Sequence, residues 1–311
     1  MSLGSYIYRI GDYRIEYEIE KHFNGRDIEW QAVICQCIGK GSVLDIPQSF
    51  FVDEKEYPVK VIGKKAFLGN RSLREITLPE TIAYIDNWAF AQCDNLKKVI
   101  ILGDNEHSMP KLGKGVFSDC ALLEHICVGT AEENTFSALL GTIPSGLQAD
   151  YLLTDEVAGE REWFIKWDRK LVEFLEEPDE EGYTNLVLCG EEDIQRSVPG
   201  YISEKKMLKS KLCLIRLMYN EHLGEERTLF EDYVRSHTKG CDSDEAWQTL
   251  LKEYGDDMRY YRLFRELGGI RDEYIDQMII DMGDRHIEAK AYLLGLKGYA
   301  SKLDVFDKFV L

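Results

Sequence analysis

The feature that most constrains the fold is an internal repeat between residues 62 and 128. Its three copies begin at Ile62, Ile85 and Leu112, and each places a phenylalanine five residues later and a leucine six residues after that. The phenylalanines lie at positions 67, 90 and 117, and the longer second step absorbs an insertion in the loop 103–111. The segment 44–47 matches the end of a further copy. Because one unit cannot bury its own apolar face, the pattern predicts a stack of three full units and one partial unit.

The fixed positions of these copies match a known class of repeat. The first copy runs Ile62-Gly63-Lys64-Lys65-Ala66-Phe67, reaches Leu73 and ends in Ile76-Thr77-Leu78-Pro79. This pattern resembles the BspA-like class of leucine-rich repeats, I-G-x-x-A-F-x-x-C-x-x-L-x-x-I-x-I-P, over residues 44–128. Asn70 replaces the cysteine of the first copy, and proline is absent after Ile101 and Val128. The resemblance implies a bacterial leucine-rich-repeat β-solenoid with a short parallel sheet, and it implies no particular ligand.

Alternating apolar residues precede the repeats. Tyr13, Ile15, Tyr17 and Ile19 interleave with charged residues, which is the period of a half-buried strand. Asn24-Gly25 predicts a hairpin turn, and residues 30–38 supply the returning strand. We therefore predict a β-meander over residues 5–39, and it resembles the usual N-terminal cap of such arrays.

From about residue 158 the apolar spacing changes to that of helices. Helices are predicted over 163–175, from an N-cap at Ser203, and over 226–237, 244–254, 257–267, 271–282 and 286–296, with a short extended piece at 185–189. We predict an α+β chain of two domains. Residues 1–158 form the β-hairpin cap and the leucine-rich-repeat β-solenoid, and residues 159–311 form an all-α helical hairpin array.

Composition excludes several classes of partner. The chain has 38 Lys and Arg against 56 Asp and Glu, a formal net charge of −18. A chain this acidic repels nucleic acid phosphates and anionic lipid surfaces, and its apolar runs are too short for membrane insertion. We therefore expect a protein partner, no nucleic acid and no membrane insertion, and the sequence leaves the partner's identity and the oligomeric state open.

Eight cysteines are scattered along the chain rather than packed as a disulfide framework. With no visible secretory leader, this usage favours a reduced, cytoplasmic protein, with the cell surface or secretion as alternatives. Cys93 and Cys120 occupy one repeat position on adjacent turns, either as two buried thiols or as a disulfide. Cys35 and Cys37 form C-x-C, and in a strand both are expected to leave the same face and pack.

No set of residues predicts a catalytic, metal or cofactor site. The sequence lacks H-E-x-x-H, G-x-S-x-G and the glycine-rich nucleotide-binding motifs. The loop 177–182 alternates acidic residues as an EF-hand does, but the twelfth position is Leu188, so a solvated loop is favoured. Cys127 with His125 is the only cysteine–histidine pair close in sequence, and it lacks an orienting partner. An enzyme with a site in the helical domain or at the domain junction is the first alternative function. Its candidate residues are Glu191, Glu192, His222 and His286.

The outward side of the repeat strands is the candidate binding surface. If Leu73, Ile76 and Leu78 point into the core, their neighbours point outward on turns about 4.8 Å apart. The predicted partner-binding residues are Arg74, Glu75, Thr77, Lys97, Lys98, Ile100, Glu124 and His125. Solenoid proteins bind partners through such open faces, so we expect a non-catalytic protein-interaction or scaffold protein. A fragment of a cell-surface adhesin is the second alternative.

Overall fold

The computed structural model describes residues 2–24, 27–103, 109–129, 133–154, 158–183 and 197–307 of the chain. The predicted extended piece at 185–189 and the carboxylates Glu191 and Glu192 lie outside these residues. The chain divides into two units, residues 1–170 and 171–311. The domain boundary expected near residue 158 stays a prediction.

The predicted N-terminal β-meander is present. Strands β1 (Ser2–Ile10), β2 (Tyr13–Asn24) and β3 (Asp27–Gly39) pair antiparallel in sequence order. The expectation that Cys35 and Cys37 share a face is wrong, because Cys35 is exposed while Cys37 is buried. The pairing of β2 with β3 skips Cys35 between Gln36 and Ile34, so this residue is the extra one in a β-bulge.

The repeats form a β-solenoid of about three turns. One parallel ladder continues from β3 through β6 (Lys55–Ile62), β8 (Tyr84–Ile85) and β10 (Lys111–Leu112), while β5 (Ser49–Val52) pairs antiparallel with β6. The second ladder is a four-stranded parallel sheet in the order β11 (His125–Gly129), β9 (Lys98–Leu102), β7 (Glu75–Leu78), β4 (Val43–Asp45). We call the three turns that carry Phe67, Phe90 and Phe117 the first, second and third rungs.

The three phenylalanines stack through the centre of the solenoid. Phe67 and Phe90 lie 4.7 Å apart between ring centroids, and Phe90 and Phe117 lie 5.6 Å apart, with interplanar angles of 22° and 12°. All three are at most 1% exposed. The stacking predicted from the repeat is therefore confirmed, and each ring contributes about 1.5–3 kcal/mol of apolar burial.

Each rung reverses direction through two left-handed residues, placed two positions before and two positions after its phenylalanine. Lys65, Trp88 and Gly115 take the first position, with φ of 61°, 57° and 59°. Gly69, Gln92 and Asp119 take the second, with φ of 69°, 58° and 60°. A left-handed conformation costs a residue with a side chain roughly 1–2 kcal/mol. Backbone bonds between rungs offset this cost, since Phe67 N–H donates to Ala89 O and Phe90 N–H to Val116 O.

The cysteine position of the repeat also links neighbouring rungs. Cys93 and Cys120 are free thiols in the structure. Each donates to the carbonyl oxygen of the phenylalanine in the preceding rung, Cys93 to Phe67 O at 3.2 Å and Cys120 to Phe90 O at 3.1 Å. In the first rung, where Asn70 replaces cysteine, the Asn70 Oδ1 accepts from Leu73 N–H at 3.1 Å. The asparagine side chain thus stabilises a local turn, whereas the cysteine at the same position of the other two rungs makes a hydrogen bond to the neighbouring rung.

Helices close the C-terminal end of the first unit. Helix α1 (Thr135–Thr142) leads into a single π turn (Ile143–Leu147) and a 3₁₀ turn (Asp150–Leu153), and α2 (Arg161–Glu176) follows. Phe136 contacts Trp163 at 5.6 Å between ring centroids, and Trp163 Nε1 donates to Leu152 O at 2.9 Å. The sequence predicts α2 but not α1.

The second unit holds the later helices. They are α3 (Val198–Met218), α4 (Glu226–Ser236), α5 (Glu245–Tyr254), α6 (Met258–Glu266), α7 (Ile275–Met282), preceded by a 3₁₀ turn (Asp272–Tyr274), and α8 (Ile287–Asp307). Ser203 is not an N-cap but lies inside α3. The cap is Ser197, whose side chain accepts from Gly200 N–H at 3.3 Å, and Pro199 in the first turn favours that start.

The acidic loop after α2 keeps Pro178, Glu180 and Glu181 exposed, and α3 places two buried lysines against its oxygen atoms. Lys205 Nζ donates to Glu177 Oε1 at 2.9 Å and to Pro178 O at 2.8 Å. Lys209 Nζ donates to Asp179 Oδ1 at 2.7 Å and to Glu177 O at 2.6 Å. The Lys209 side chain is only 2% exposed. The ammonium groups therefore occupy the oxygen-lined positions for which the sequence suggested a cation.

Replacing the middle phenylalanine tests the stack. We expect Phe90→Ala to lower the free energy of unfolding by about 3–5 kcal/mol, because the ring contacts a neighbour on each side and leaves a cavity. Leu68→Ala is the matched control, since Leu68 is 43% exposed and its loss should cost well under half as much. Urea unfolding of both variants measures the difference, and equal losses would show that the phenylalanine ladder does not hold the rungs together.

Removing one buried ammonium tests the lysine-filled loop. Lys209→Met should destabilise the second unit by about 3–5 kcal/mol, because the Asp179 carboxylate and the Glu177 carbonyl lose their partner while the apolar stem is kept. Lys206→Met removes a charge from the same helix at a half-buried position with no ion-pair partner among the described residues. Thermal unfolding should separate the two variants, and a shift no larger than that of the control would contradict the structural role of Lys209.

Candidate interaction surface

The four-stranded parallel sheet carries the candidate surface. Its strands align so that Glu75, Lys98 and His125 form one row across the sheet, and the residues two positions later form the next. The alternating residues Ile76 and Leu78, as well as Leu73 before the strand, are fully buried, so the predicted inward set is confirmed. We use the term sheet face for the outward side chains of β4, β7, β9 and β11 together with the residues preceding the last three strands, Arg74, Lys97 and Glu124.

Helix α1 lies against the β11 end of the sheet face. The Ser137 Oγ is 3.0 Å from His125 Nδ1. Gly141 approaches the backbone so closely that a Cβ added there would lie 2.3 Å from Glu124 O. The close approach requires glycine at this position. The sheet face is therefore open at its β4 and β7 end and covered at its β11 end.

The strands and turns just described lie in a segment that matches a protein-family model. The family model for the BspA type leucine-rich repeat region matches residues 52–139 in six copies. This segment, less than a third of the chain, is similar to the BspA type leucine-rich repeat region. The resemblance of the sequence to that class is thus confirmed for the repeats.

Solved structures of leucine-rich repeat proteins align with part of the chain. A leucine-rich cell surface protein from Faecalibacterium prausnitzii is 27% identical over 40% of this chain and 31% of its own length, with a TM-score of 0.31. A leucine-rich repeat protein from Bacteroides capillosus is 26% identical over 42% of this chain and 91% of its own length, with a TM-score of 0.30. The chain thus spans about a third of the Faecalibacterium protein. The search of curated proteins finds no match.

The BspA-type repeats do not expose every residue predicted for binding. Arg74 and Lys97 are exposed, while Glu75, Thr77, Lys98, Glu124 and His125 are partly exposed. Ile100, expected on the open surface, is only 4% exposed. It pairs in register with Cys127 of β11, itself 2% exposed, and thus belongs to the covered end of the sheet face.

Carboxylates neutralise the lysines of β9. Lys97 Nζ lies 2.9 Å from Glu124 Oε1, and Lys98 Nζ lies 3.0 Å from Glu133 Oε1. The other Glu133 oxygen is 3.8 Å from His125 Nε2. The positive charge that the sequence assigned to this surface is therefore largely engaged within the chain.

The pairing of Lys98 with Glu133 shifts the pKa of both groups. The hydrogen bond from Lys98 lowers the pKa of Glu133 against the opposing effect of its partial burial. Partial burial lowers the pKa of Lys98, but the hydrogen bond and charge of Glu133 outweigh it and the net shift is upward. Both shifts indicate that the charged forms of Lys98 and Glu133 stabilise each other, and this pair holds the start of α1 to the sheet.

The pair Cys127 and His125 does not form a catalytic site. Burial raises the pKa of the Cys127 thiol, which disfavours the reactive thiolate. Ser137 Oγ, next to His125, is already used, since it accepts from Asn134 N–H at 3.0 Å as part of the capping box of α1. With these groups buried or engaged, the cluster is a structural link between the sheet and α1.

Of the other candidate catalytic residues, His222 and His286 lie within the described part of the chain, and each is near one carboxylate. A groove of about 610 Å³ lies between the end of β3 and the first rung, and burial raises the pKa of its Cys37 to about 12. In the helical unit, His286 Nδ1 is 3.0 Å from Asp256 Oδ1, and His222 Nε2 is 3.8 Å from Glu221 Oε1. A histidine paired with an exposed carboxylate is not by itself a catalytic site.

The part of the chain that the structure describes holds no group of three or more His, Cys, Asp or Glu side chains placed to bind a metal ion. None of its helices combines the length and the apolar character needed to cross a bilayer. The cytoplasmic location expected from the sequence stays a prediction.

Sequence reasoning missed Glu133 and Ser137, the two residues that tie α1 to the sheet. A signal for them exists in Asn134-Thr135-Phe136-Ser137, where the Asn134 side chain accepts from Ser137 N–H at 2.7 Å and caps the helix. A polar N-cap followed by the apolar run 138–140 is a helix start. That helix start predicts a helix immediately after β11.

The Glu133 contact predicts a pH-dependent attachment of α1. Because its folded-state pKa is lowered, Glu133 stabilises the fold above the ordinary value of about 4.3, and this contribution is lost as pH falls through the folded-state pKa. Screening of this half-exposed carboxylate limits the contribution to about 0.5 kcal/mol. At neutral pH, Glu133→Gln should make the α1 amides exchange hydrogen about twofold faster than in the unmodified protein.

The control for this measurement is Glu80→Gln, an exposed glutamate with no ion-pair partner among the described residues. It should leave the exchange of α1 unchanged. At a pH well below the folded-state pKa of Glu133, the difference between Glu133→Gln and the unmodified protein should vanish, because both then carry a neutral group. A difference that persists at low pH would rule out the ion pair as its cause.

Proposed function

We propose that the protein is a non-catalytic interaction module that binds a protein partner through the open end of its sheet face. The observation that carries this proposal is the exposure of one side of a parallel sheet. Parallel strands are ordinarily covered on both faces, yet Val43 of β4 is 54% exposed and Arg74 beside β7 is exposed. A partner that covers this side would complete the burial.

The composition of the open end supports a protein partner. Within about three strand positions it offers an apolar side chain in Val43, a hydroxyl in Thr77, an acid in Glu75 and a guanidinium in Arg74. Arg74 pairs with no carboxylate among the described residues, so it is available to a partner. Arginine is enriched at positions that dominate binding energy, and mixed polar and apolar surfaces are typical of non-obligate interfaces.

The proposal gives different roles to the partner-binding residues expected from the sequence. Arg74, Glu75 and Thr77 form its centre. Lys97 and Glu124 form its rim, because their mutual ion pair is exposed and contributes little on its own. Lys98 and His125 act indirectly, since their partners hold α1 in place. Ile100 belongs to the covered end.

Paired bait variants test the proposal. Arg74→Glu combined with Thr77→Arg reverses one charge and adds bulk at the open end without touching a buried residue. We expect affinity capture from the source cell to recover a stoichiometric protein with the unmodified bait. The double variant should lose that protein by about tenfold or more, the size of one lost hot-spot contact.

The control bait carries Lys55→Glu, a charge reversal at an exposed position of β6 outside the four-stranded sheet. It should capture the same protein as the unmodified bait. Circular dichroism must show that all three baits are folded. Equal capture by the double variant and the unmodified bait would exclude the open end of the sheet face as the binding surface.

A further inference from the structure

A second surface lies on the turns that precede the phenylalanines. Three and two positions before each phenylalanine, the first rung places Lys64 and Lys65, the second Asn87 and Trp88, and the third Lys114 and Gly115. These positions are held next to one another, since Lys65 N–H donates to Asn87 O and Trp88 N–H to Lys114 O. We call Lys64, Lys65, Trp88 and Lys114 the turn row.

The lysines of the turn row differ from those of the sheet face in their partners. All three are exposed, and no carboxylate among the described residues forms an ion pair with any of them. The lysines of β9 are instead paired with Glu124 and Glu133. On a chain with a net charge of −18, three clustered cations without a carboxylate partner are an exception to the overall charge.

An indole lies between these cations. The Lys64 and Lys65 Nζ atoms lie 5.3 and 5.7 Å from the centroid of the Trp88 ring. On the other side, a Cβ added to Gly115 would lie 3.1 Å from Trp88 Nε1, so glycine in the third rung leaves room for the ring. Trp88 is half-buried and its indole N–H has no acceptor among the described residues.

The backbone at Trp88 is left-handed, as it is at the equivalent residues Lys65 and Gly115 of the other rungs. The equivalent position of the third rung is glycine, which adopts positive φ freely, whereas Trp88 takes φ of 57° with a bulky side chain. The turn itself does not require a large aromatic ring here, since lysine and glycine take the same position in the other rungs, so the placement of the indole beside the unpaired Lys64 and Lys65 indicates recognition rather than folding alone.

We propose that the turn row binds an acidic segment of a protein. The first and third rungs are two rung spacings apart, about 9–10 Å, which is the span of about three residues in a polyproline II helix, whose period of three also places side chains three residues apart on the same side. Carboxylates three residues apart in a peptide can thus pair with Lys64 or Lys65 at one end and with Lys114 at the other. The indole between them packs against the intervening side chain, and its N–H is free to donate to a peptide carbonyl.

The same features disfavour a polyphosphate ligand. Nucleic acid is bound through a wide basic field that neutralises many phosphates. Three lysines on a chain with a net charge of −18 suffice for two or three carboxylates but not for such a field. This inference concerns a surface different from the sheet face, so either proposal can fail without the other.

The test uses the full chain and a labelled peptide in which glutamate recurs at every third residue. Fluorescence anisotropy should show saturable binding that weakens between about 50 and 150 mM salt, because exposed ion pairs are screened. The triple variant Lys64→Glu, Lys65→Glu, Lys114→Glu should weaken binding by about tenfold or more. Trp88→Gly, which suits the left-handed backbone, should weaken it by roughly two- to tenfold.

The charge-matched control is Lys40→Glu, Lys55→Glu, Lys252→Glu, three exposed lysines with no ion-pair partner among the described residues. It should retain peptide binding within about twofold, the range of non-specific charge effects. Equal loss in the control triple would overturn the proposal, as would absence of binding at low salt. Tighter binding of a labelled single-stranded DNA than of the peptide would also overturn it, by showing simple attraction of polyanions.

Discussion

The stacking of Phe67, Phe90 and Phe117 fixes the position of each rung on the next, and the rest of the first unit depends on it. Backbone hydrogen bonds between rungs flank every ring, and left-handed residues two positions to each side turn the chain so that the bonds align. A shift by one residue would turn the buried strand residues outward. The alignment of the sheet face and the turn row therefore follows from one repeated packing contact.

The C-terminal end of the solenoid determines how much of the sheet face is available. A stack of repeats ends in an open apolar layer, and terminal elements must cover it. Here α1 crosses β11, held by the Ser137–His125 contact and by the Lys98–Glu133 pair, and aromatic contacts connect it to α2. The covering helix removes Ile100 and Cys127 from the surface, so the same element that completes the core leaves the sheet face open at its β4 and β7 end.

The repeat made the solenoid predictable from sequence, because buried positions recur with the same residue types and each copy supports the assignment of the others. Features that occur once were harder to predict. The bulge at Cys35 and the start of α3 at Ser197 depend on single hydrogen-bonding patterns. Helix α1 begins at Thr135, in a segment that the repeat pattern of the sequence does not cover. For the candidate site, sequence places its residues in rows but does not show that Glu124 and Glu133 neutralise its lysines.

The surfaces of this acidic chain differ in whether their lysines are paired with carboxylates, rather than in how many lysines they carry. Lys205 and Lys209 are buried against the carbonyl and carboxylate oxygens of one loop, where they take the place that a bound cation would fill. Lys97 and Lys98 stabilise the sheet and its covering helix. Lys64, Lys65 and Lys114 make no such pair among the described residues, and the first two lie over the Trp88 ring. Since an unpaired cation keeps its full interaction energy for an incoming anion, the basic residues open to a partner are those that the fold does not itself use.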